Sequence, residues 1–194
     1  MSKLVLIGGG GHCKSVLDVA LRMNLFEDIV ITDPDVKPGT QILGCSVVGS
    51  DDRLEQLRQE GFDHAFITVG CVGDTSLRRK LAERADTYGF NYPCIIDPSA
   101  VVSEFSKLEA GVFVGKNAVI NAGAQIWNHA IINTGAIIEH NCHIGAFTHV
   151  AVGATVCGDC SIDEDVFIGA GATLIQGLTI TKNRFVKAGE VVVR

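Results

Sequence analysis

The chain carries six histidines, four of which, His129, His140, His143 and His149, crowd between residues 129 and 149. Imidazole is the side chain best suited to moving protons near neutral pH, so this stretch is a candidate for general acid–base chemistry. His140 differs from the others in what lies eighteen residues away on either side, Ala122 and Gly158. If that spacing brings residues together, a ligand has room beside the imidazole, and a glycine amide can donate to a developing oxyanion. His129 is three residues past Ile126, where a turn is expected, and reads as a surface residue. A second candidate is Gly8-Gly9-Gly10-Gly11-His12, where glycines would let backbone N–H groups approach a phosphate. A third is Cys157-Gly158-Asp159-Cys160, but it has no second cysteine pair at structural-zinc spacing, so no metal is assigned.

The elements that position the histidines come from a repeat. From Val102 to Val192 every sixth residue is Val, Leu or Ile, without interruption. Four residues after each of them the side chain is usually small, as at Ala118, Ala124, Ala130, Ala136, Cys142, Thr148, Ala154, Cys160 and Ala172. A period of six is neither helical nor that of one long strand. It fits short strands separated by sharp turns, three to a triangular coil, with aliphatics filling the axis. Residues eighteen apart then stack at about the inter-strand spacing of ~4.8 Å. On this reading Gly158 lies over His140 and Ala122 under it. A second column, Val152, Ala170 and Ala188, leaves a shallow groove suited to a long thin ligand. Few basic residues lie in this half, and Lys182, Arg184, Lys187 and Arg194 gather in the last coil, where a polyanionic tail could end.

Residues before about 93 read differently. Lys3 to Ile7 is a short apolar strand, the glycine run follows, and Val16, Leu17, Val19, Ala20 and Met23 give a helical pattern. Ile29 to Thr32 is a second strand, His64 to Val69 a later one, with helices over 51–60 and 76–88. Strand, glycine turn, helix and strand in alternation imply a small parallel α/β sheet of Rossmann-like type. The G-x-G-x-x-G dinucleotide fingerprint is broken, because Cys13 or Lys14 stands at the third glycine, which argues against an NAD enzyme. The glycines are either a tight turn or a phosphate cradle, and the phosphate reading is preferred. Asp33 ends the second strand, where a carboxylate can meet a ribose or a base, or simply close the Asp33-Pro34-Asp35 turn. Gly70 falls on the same sheet edge. The domains are thus 1–94 and 95–194.

Composition bounds the rest. The chain has 194 residues, 47% hydrophobic and 20% charged, so a packed core is expected. A net charge of -6 argues against a nucleic-acid binder, and no apolar run approaches a membrane span. Seven cysteines without a secretion signal suggest buried thiols in a cytoplasmic protein rather than a disulfide framework.

The combination resembles the sialic acid O-acetyltransferase / bacillosamine-pathway sugar N-acetyltransferase family. The resemblance covers nearly the whole chain. It is most specific at Asn133-Thr134-Gly135-Ala136-Ile137-Ile138-Glu139-His140 and at Ile144 to Gly153. It implies a Rossmann-like domain followed by a left-handed parallel β-helix of hexapeptide repeats, a homotrimer with sites at subunit interfaces, and acetyl-CoA as donor. By the same resemblance His140 is the general base and Asn133 a substrate-side polar residue. His149, Gly158, Ala170 and Ala188 are acetyl-CoA contacts. Gly10, Gly11, His12, Asp33 and Gly70 are sugar-nucleotide contacts. Some members carry an acidic residue directly after the base. Here that place is Asn141, so either another carboxylate, such as Glu139, orients the imidazole or its proton affinity is lower. The implied reaction is N-acetylation of a nucleotide-linked, UDP-4-amino-4,6-dideoxy type sugar. O-acetylation of sialic acid and a non-catalytic nucleotide-binding solenoid are the alternatives.

Overall fold

The computed structural model describes residues 2–193 and divides into two compact units. One is the chain up to Gly70 with Ser76–Pro93; the other is Cys71–Thr75 with the chain from Cys94 onward. The short segment Cys71–Thr75 thus clusters with the repeat half, although it sits in the earlier part of the sequence.

The first unit is built on β1 (Ser2–Ile7), α1 (Gly11–Met23), β2 (Phe26–Thr32), β3 (Gln41–Ile42), β4 (Cys45–Gly49), α2 (Leu54–Gln59), β5 (His64–Ile67) and α3 (Ser76–Thr87). A 3-10 turn over Asp51–Arg53 leads into α2. The sheet order is β3-β4-β2-β1-β5. β1 lies between β2 and β5, parallel to both, and its Leu4, Val5, Leu6 and Ile7 are wholly buried. A strand covered on both faces reads as a continuous apolar run, which is why β1 does not alternate. β2 begins at Phe26, earlier than Ile29, because Glu27 and Asp28 are exposed at its start and carry no apolar signal. The β3–β4 hairpin was not anticipated; β3 has only two residues, too few to show a period. On α3 the charges are not all solvated, since Arg78 is fully buried.

The second unit is a stack of two-residue strands from β6 (Ile95–Ile96) to β22 (Val191–Val192), arranged in three parallel sheets of six, five and six strands. Each strand pairs with those eighteen residues away, as Val119 with Ile137 and Ile137 with Thr155. The aliphatics from Val114 to Val192 and the small residues between them form one buried core. Each fully buried Val, Ile or Leu contributes ~1.5–3 kcal/mol relative to exposure.

The corners follow one rule. The third residue after each aliphatic has a positive φ from Gly111 to Gly189, whatever its type; Asn141 is at 57° and Asp159 at 59°. Bonds such as Ala136 N–H to the Asn133 carbonyl (3.0 Å) close the turn around it. A positive φ at the second central residue is the mark of a type II turn and favours Gly, Asn or Asp. His129 and Phe147 depart from that preference. They stack with ring centroids 4.8 Å apart, and His129 is buried rather than on the surface, because Phe147 of the next coil covers it.

Candidate functional site

The polar features fall into separate places in the two units. In the first unit, Gly8 to His12 link the carboxyl end of β1 to the start of α1. The four glycines do different jobs. Gly8 has φ 109°, and a Cβ there would fall 2.6 Å from Val69 Cγ2, so the fold itself requires glycine. The Gly9 N–H donates to Asp33 Oδ2 at 2.6 Å, while Asp33 Oδ1 accepts the Asp35 N–H at 2.8 Å. Asp33 therefore closes its own turn and also ties down the glycine loop. Gly10 and Gly11 are different. Neither has a positive φ, both are exposed, and a Cβ on either would meet nothing within 4 Å. The folded chain does not need glycine at these two positions. Open space beside the first amides of a 13-residue helix whose N-cap, Gly10, makes no side-chain cap bond suits an anion. Gly70 lies on the same edge; a Cβ there would sit 3.3 Å from His12 Cβ. Gly10, Gly11, His12, Asp33 and Gly70 are thus grouped around the carboxyl ends of β1, β2 and β5, where ligands of open parallel sheets bind.

In the second unit His140 occupies a corner between Ile138 and Cys142, its side chain half exposed (50%). The coil above holds Gly158, and the Asp159 N–H donates to the His140 carbonyl at 3.0 Å. A Cβ on Gly158 would lie 2.5 Å from both Nε2 and Cε1, so the Nε2 edge of the imidazole rests directly on the glycine. The Gly158 amide donates to no backbone carbonyl in the turn and loop bonds of the described residues.

The other face of the imidazole meets polar groups. Asn141 Nδ2 is 3.4 Å from His140 Nδ1 and donates to Asp159 Oδ1 at 3.0 Å. Gln176 Nε2 donates to Asp159 Oδ2 at 3.0 Å. Asp159 Oδ1 is 3.9 Å from His140 Nδ1. These donors, Asn141 first, and then the nearby imidazole, hold the Asp159 carboxyl below the usual carboxylate range. Glu139 does not reach the ring; its Oε2 accepts the His140 backbone N–H at 3.2 Å. Asp159 had drawn attention only as part of a cysteine pair. Its position one residue beyond His140 plus eighteen was the signal that could have found it.

Asn133 and His149 form a separate group on another face. His149 Nδ1 is 3.0 Å from the Cys71 carbonyl, which can only accept, so the imidazole carries its proton on Nδ1. Nε2 then accepts from Asn133 Nδ2 at 3.2 Å, while Asn133 Oδ1 accepts the Thr134 N–H at 2.8 Å. Gly73 packs against Phe185, and the Thr75 hydroxyl donates to Asp165 Oδ1 at 2.5 Å, so Cys71–Thr75 is pinned along this face. Asn133 is therefore a partner of His149, not a neighbour of the His140 ring. Ala170 and Ala188 are exposed at consecutive coils of one corner, linked by the Gly189 N–H to the Ala170 carbonyl at 2.9 Å. Of the basic residues in the last coil, Lys182 is engaged by Glu164 Oε1 at 2.6 Å, and Arg194 lies outside the described residues. Cys142 and Cys160 donate to the carbonyls of Cys157 and Ile175. No cluster of three or more potential metal ligands occurs among the described residues.

Comparison with known proteins covers both halves. Residues 3–85 match the family model for the PglD N-terminal domain. The full chain is similar to a histidine-to-asparagine variant of perosamine N-acetyltransferase from Caulobacter crescentus, solved in complex with CoA and GDP-perosamine. Identity is 39% and the TM-score 0.93, covering 100% of this chain and 90% of that one. PerB from Caulobacter crescentus, also with CoA and GDP-perosamine, matches at 40% identity and TM-score 0.89, with 100% and 90% coverage. The acetyltransferase domain of PglB from Neisseria gonorrhoeae, in complex with acetyl coenzyme A, matches at 34% identity and TM-score 0.91, with 98% and 90% coverage. The parallel coil is accordingly the left-handed β-helix of such acetyltransferases. A chain that shares its α/β sheet, its triangular coil and their order with these enzymes over its whole length belongs to their family, the bacillosamine-pathway sugar N-acetyltransferases.

Proposed function

We propose that the protein transfers the acetyl group of acetyl-CoA to the amine of a nucleotide-linked amino sugar, with His140 as general base. The contact of the His140 Nε2 edge with Gly158 carries this reading. It supplies a proton acceptor and an amide donor side by side at one corner of the coil. Relatives solved with CoA, acetyl-CoA and GDP-perosamine support the substrate classes.

The amine nitrogen attacks the thioester carbonyl carbon, and His140 Nε2 takes the amine proton; positioned base catalysis of this kind is worth ~10^2–10^4-fold. The Gly158 N–H stabilises the oxyanion of the tetrahedral intermediate. The C–S bond then breaks, and the proton held on Nε2 goes to the departing CoA sulfur. No acyl-enzyme is required, since a positioned amine is itself a sufficient nucleophile. Gly10, Gly11, His12 and Gly70 hold the nucleotide end of the acceptor, with Asp33 fixing the loop that carries the glycines.

His140 with Gly158, and His149 with Ala170 and Ala188, occupy different faces of one coil. For all of them to meet one acetyl-CoA, a second copy must supply one of the faces, and we propose a homotrimer with its sites between subunits. No helix among the described residues is long and apolar enough to cross a membrane. A cytoplasmic location is proposed.

The test is CoA thiol release by the purified protein with GDP-perosamine, with a UDP-4-amino-4,6-dideoxy sugar and with sialic acid. Release with a nucleotide amino sugar is expected. Release with sialic acid alone, or with none of the three, overturns the proposal.

A further inference from the structure

We infer that Asp159 is the positioning residue for His140, acting from the neighbouring coil in place of an acidic residue directly after the base. The inference rests on His140 being the base. The hydrogen bonds fix the identities of the atoms. Asp159 Oδ1, an acceptor, is 3.0 Å from one terminal atom of Asn141, so that atom is the amide nitrogen. The same nitrogen is 3.4 Å from His140 Nδ1, a long and weak contact. It can donate to Nδ1 only in the tautomer with the proton on Nε2, and that tautomer has no lone pair on Nε2 with which to accept a substrate proton.

The competent tautomer carries its proton on Nδ1, and Asp159 Oδ1 is the carboxylate oxygen beside it, at 3.9 Å. A shift of about 1 Å makes this a charge-assisted hydrogen bond. A carboxylate at that place favours the Nδ1–H tautomer and, more strongly, the imidazolium that forms as the amine is deprotonated. Glu139 is turned to the backbone, its Oε2 accepting the His140 N–H, whereas Asp159 Oδ1 is the carboxylate oxygen beside Nδ1. Asp159 is itself held in place: Asn141 and Gln176 donate to its two oxygens, and its own N–H donates to the His140 carbonyl. Gly158 and Asp159 therefore treat the two sides of one imidazole, the first at Nε2 and the second at Nδ1.

The test is Asp159→Asn, which keeps the size of the side chain and suits the positive φ of 59° at this corner, so the turn survives. The variant is expected to lose about 10- to 100-fold in kcat, the scale of one charge-assisted hydrogen bond. KM for acetyl-CoA should stay near the parent value, and the acid limb of the kcat/KM profile should move to lower pH. Adding Asn141→Asp to Asp159→Asn should restore part of kcat by placing a carboxylate beside the same ring. Parental kcat with an unmoved pH profile in Asp159→Asn overturns the inference, as does a rise in KM for acetyl-CoA with kcat unchanged. Thermal unfolding of both variants identifies any loss of fold, in which case the Asn141→Asp rescue decides. His140→Ala, run alongside, separates the two readings: if it is inactive while Asp159→Asn is normal, only this inference fails; if it is active, the assignment of the base fails.

Discussion

The imidazole of His140 lies so close on Gly158 that a methyl group at position 158 would fall 2.5 Å from its Nε2. The coil that carries the glycine is rigid, since its strand Thr155–Val156 is paired on both sides. The ring, being half exposed, is the part that must give way.

Gly158→Ala should therefore displace His140 without unfolding the coil. Turnover is expected to fall at least as far as the ~10^2-fold of a lost general base, with the melting temperature little changed. Steady-state kinetics and thermal unfolding together check this. Near-parental turnover would mean that the present place of the imidazole is not the working one.

The two kinds of glycine in the loop after β1 predict opposite phenotypes. Gly8→Ala strains the backbone and meets Val69, and should lower the melting temperature. Gly10→Val projects into open space; it should lower the melting temperature less than Gly8→Ala, by no more than the loss of a favoured N-cap residue, and raise KM for the nucleotide sugar. A Gly10→Val protein with parental KM would show that no ligand approaches there.

How much of this was legible in the sequence differs by element. The six-residue spacing of aliphatics specified the coil because axial packing demands one on every strand. The positive-φ position was equally periodic, yet only its Gly, Asn and Asp examples look like turn residues; His129 and Phe147 conceal it. The tie from His149 to the Cys71 carbonyl was not legible at all, since it joins residues 78 apart through a backbone atom. Asp159 is marked only by its place eighteen residues beyond Asn141, a signal that the adjacent cysteines do not share. In the β3–β4 hairpin, the two residues of β3 are too few for any period to register.

His149 gives the next prediction. Asn133→Ala removes the donor to Nε2 of the ring that is assigned to acetyl-CoA, leaving its Nδ1 on the Cys71 carbonyl. One neutral hydrogen bond contributes ~0.5–1.5 kcal/mol, so acetyl-CoA should bind about 2- to 12-fold more weakly, as read by calorimetry. Unchanged affinity would separate this pair from the donor site.

Burial pushes the Cys13 and Cys142 thiols up to about 11. In the unfolded chain they ionise at lower pH, so their contribution to stability is complete below about pH 8.5 and is lost as pH rises toward 11. The Cys13→Ala, Cys142→Ala protein should show a shallower fall of melting temperature between about pH 8 and about pH 10.5 than the parent. Alanine is already the commonest residue at the repeat position of Cys142, so the substitution there is conservative. Parallel curves for the two proteins would contradict the prediction.

The most direct measurement compares parent and His140→Ala in two assays on the same preparations: acetyl-CoA binding by calorimetry, and single-turnover acetyl transfer to the nucleotide amino sugar that the parent accepts. The account predicts that binding stays within a few-fold of the parent while the transfer rate falls by ~10^2–10^4. Transfer at a near-parental rate with His140 absent would contradict it.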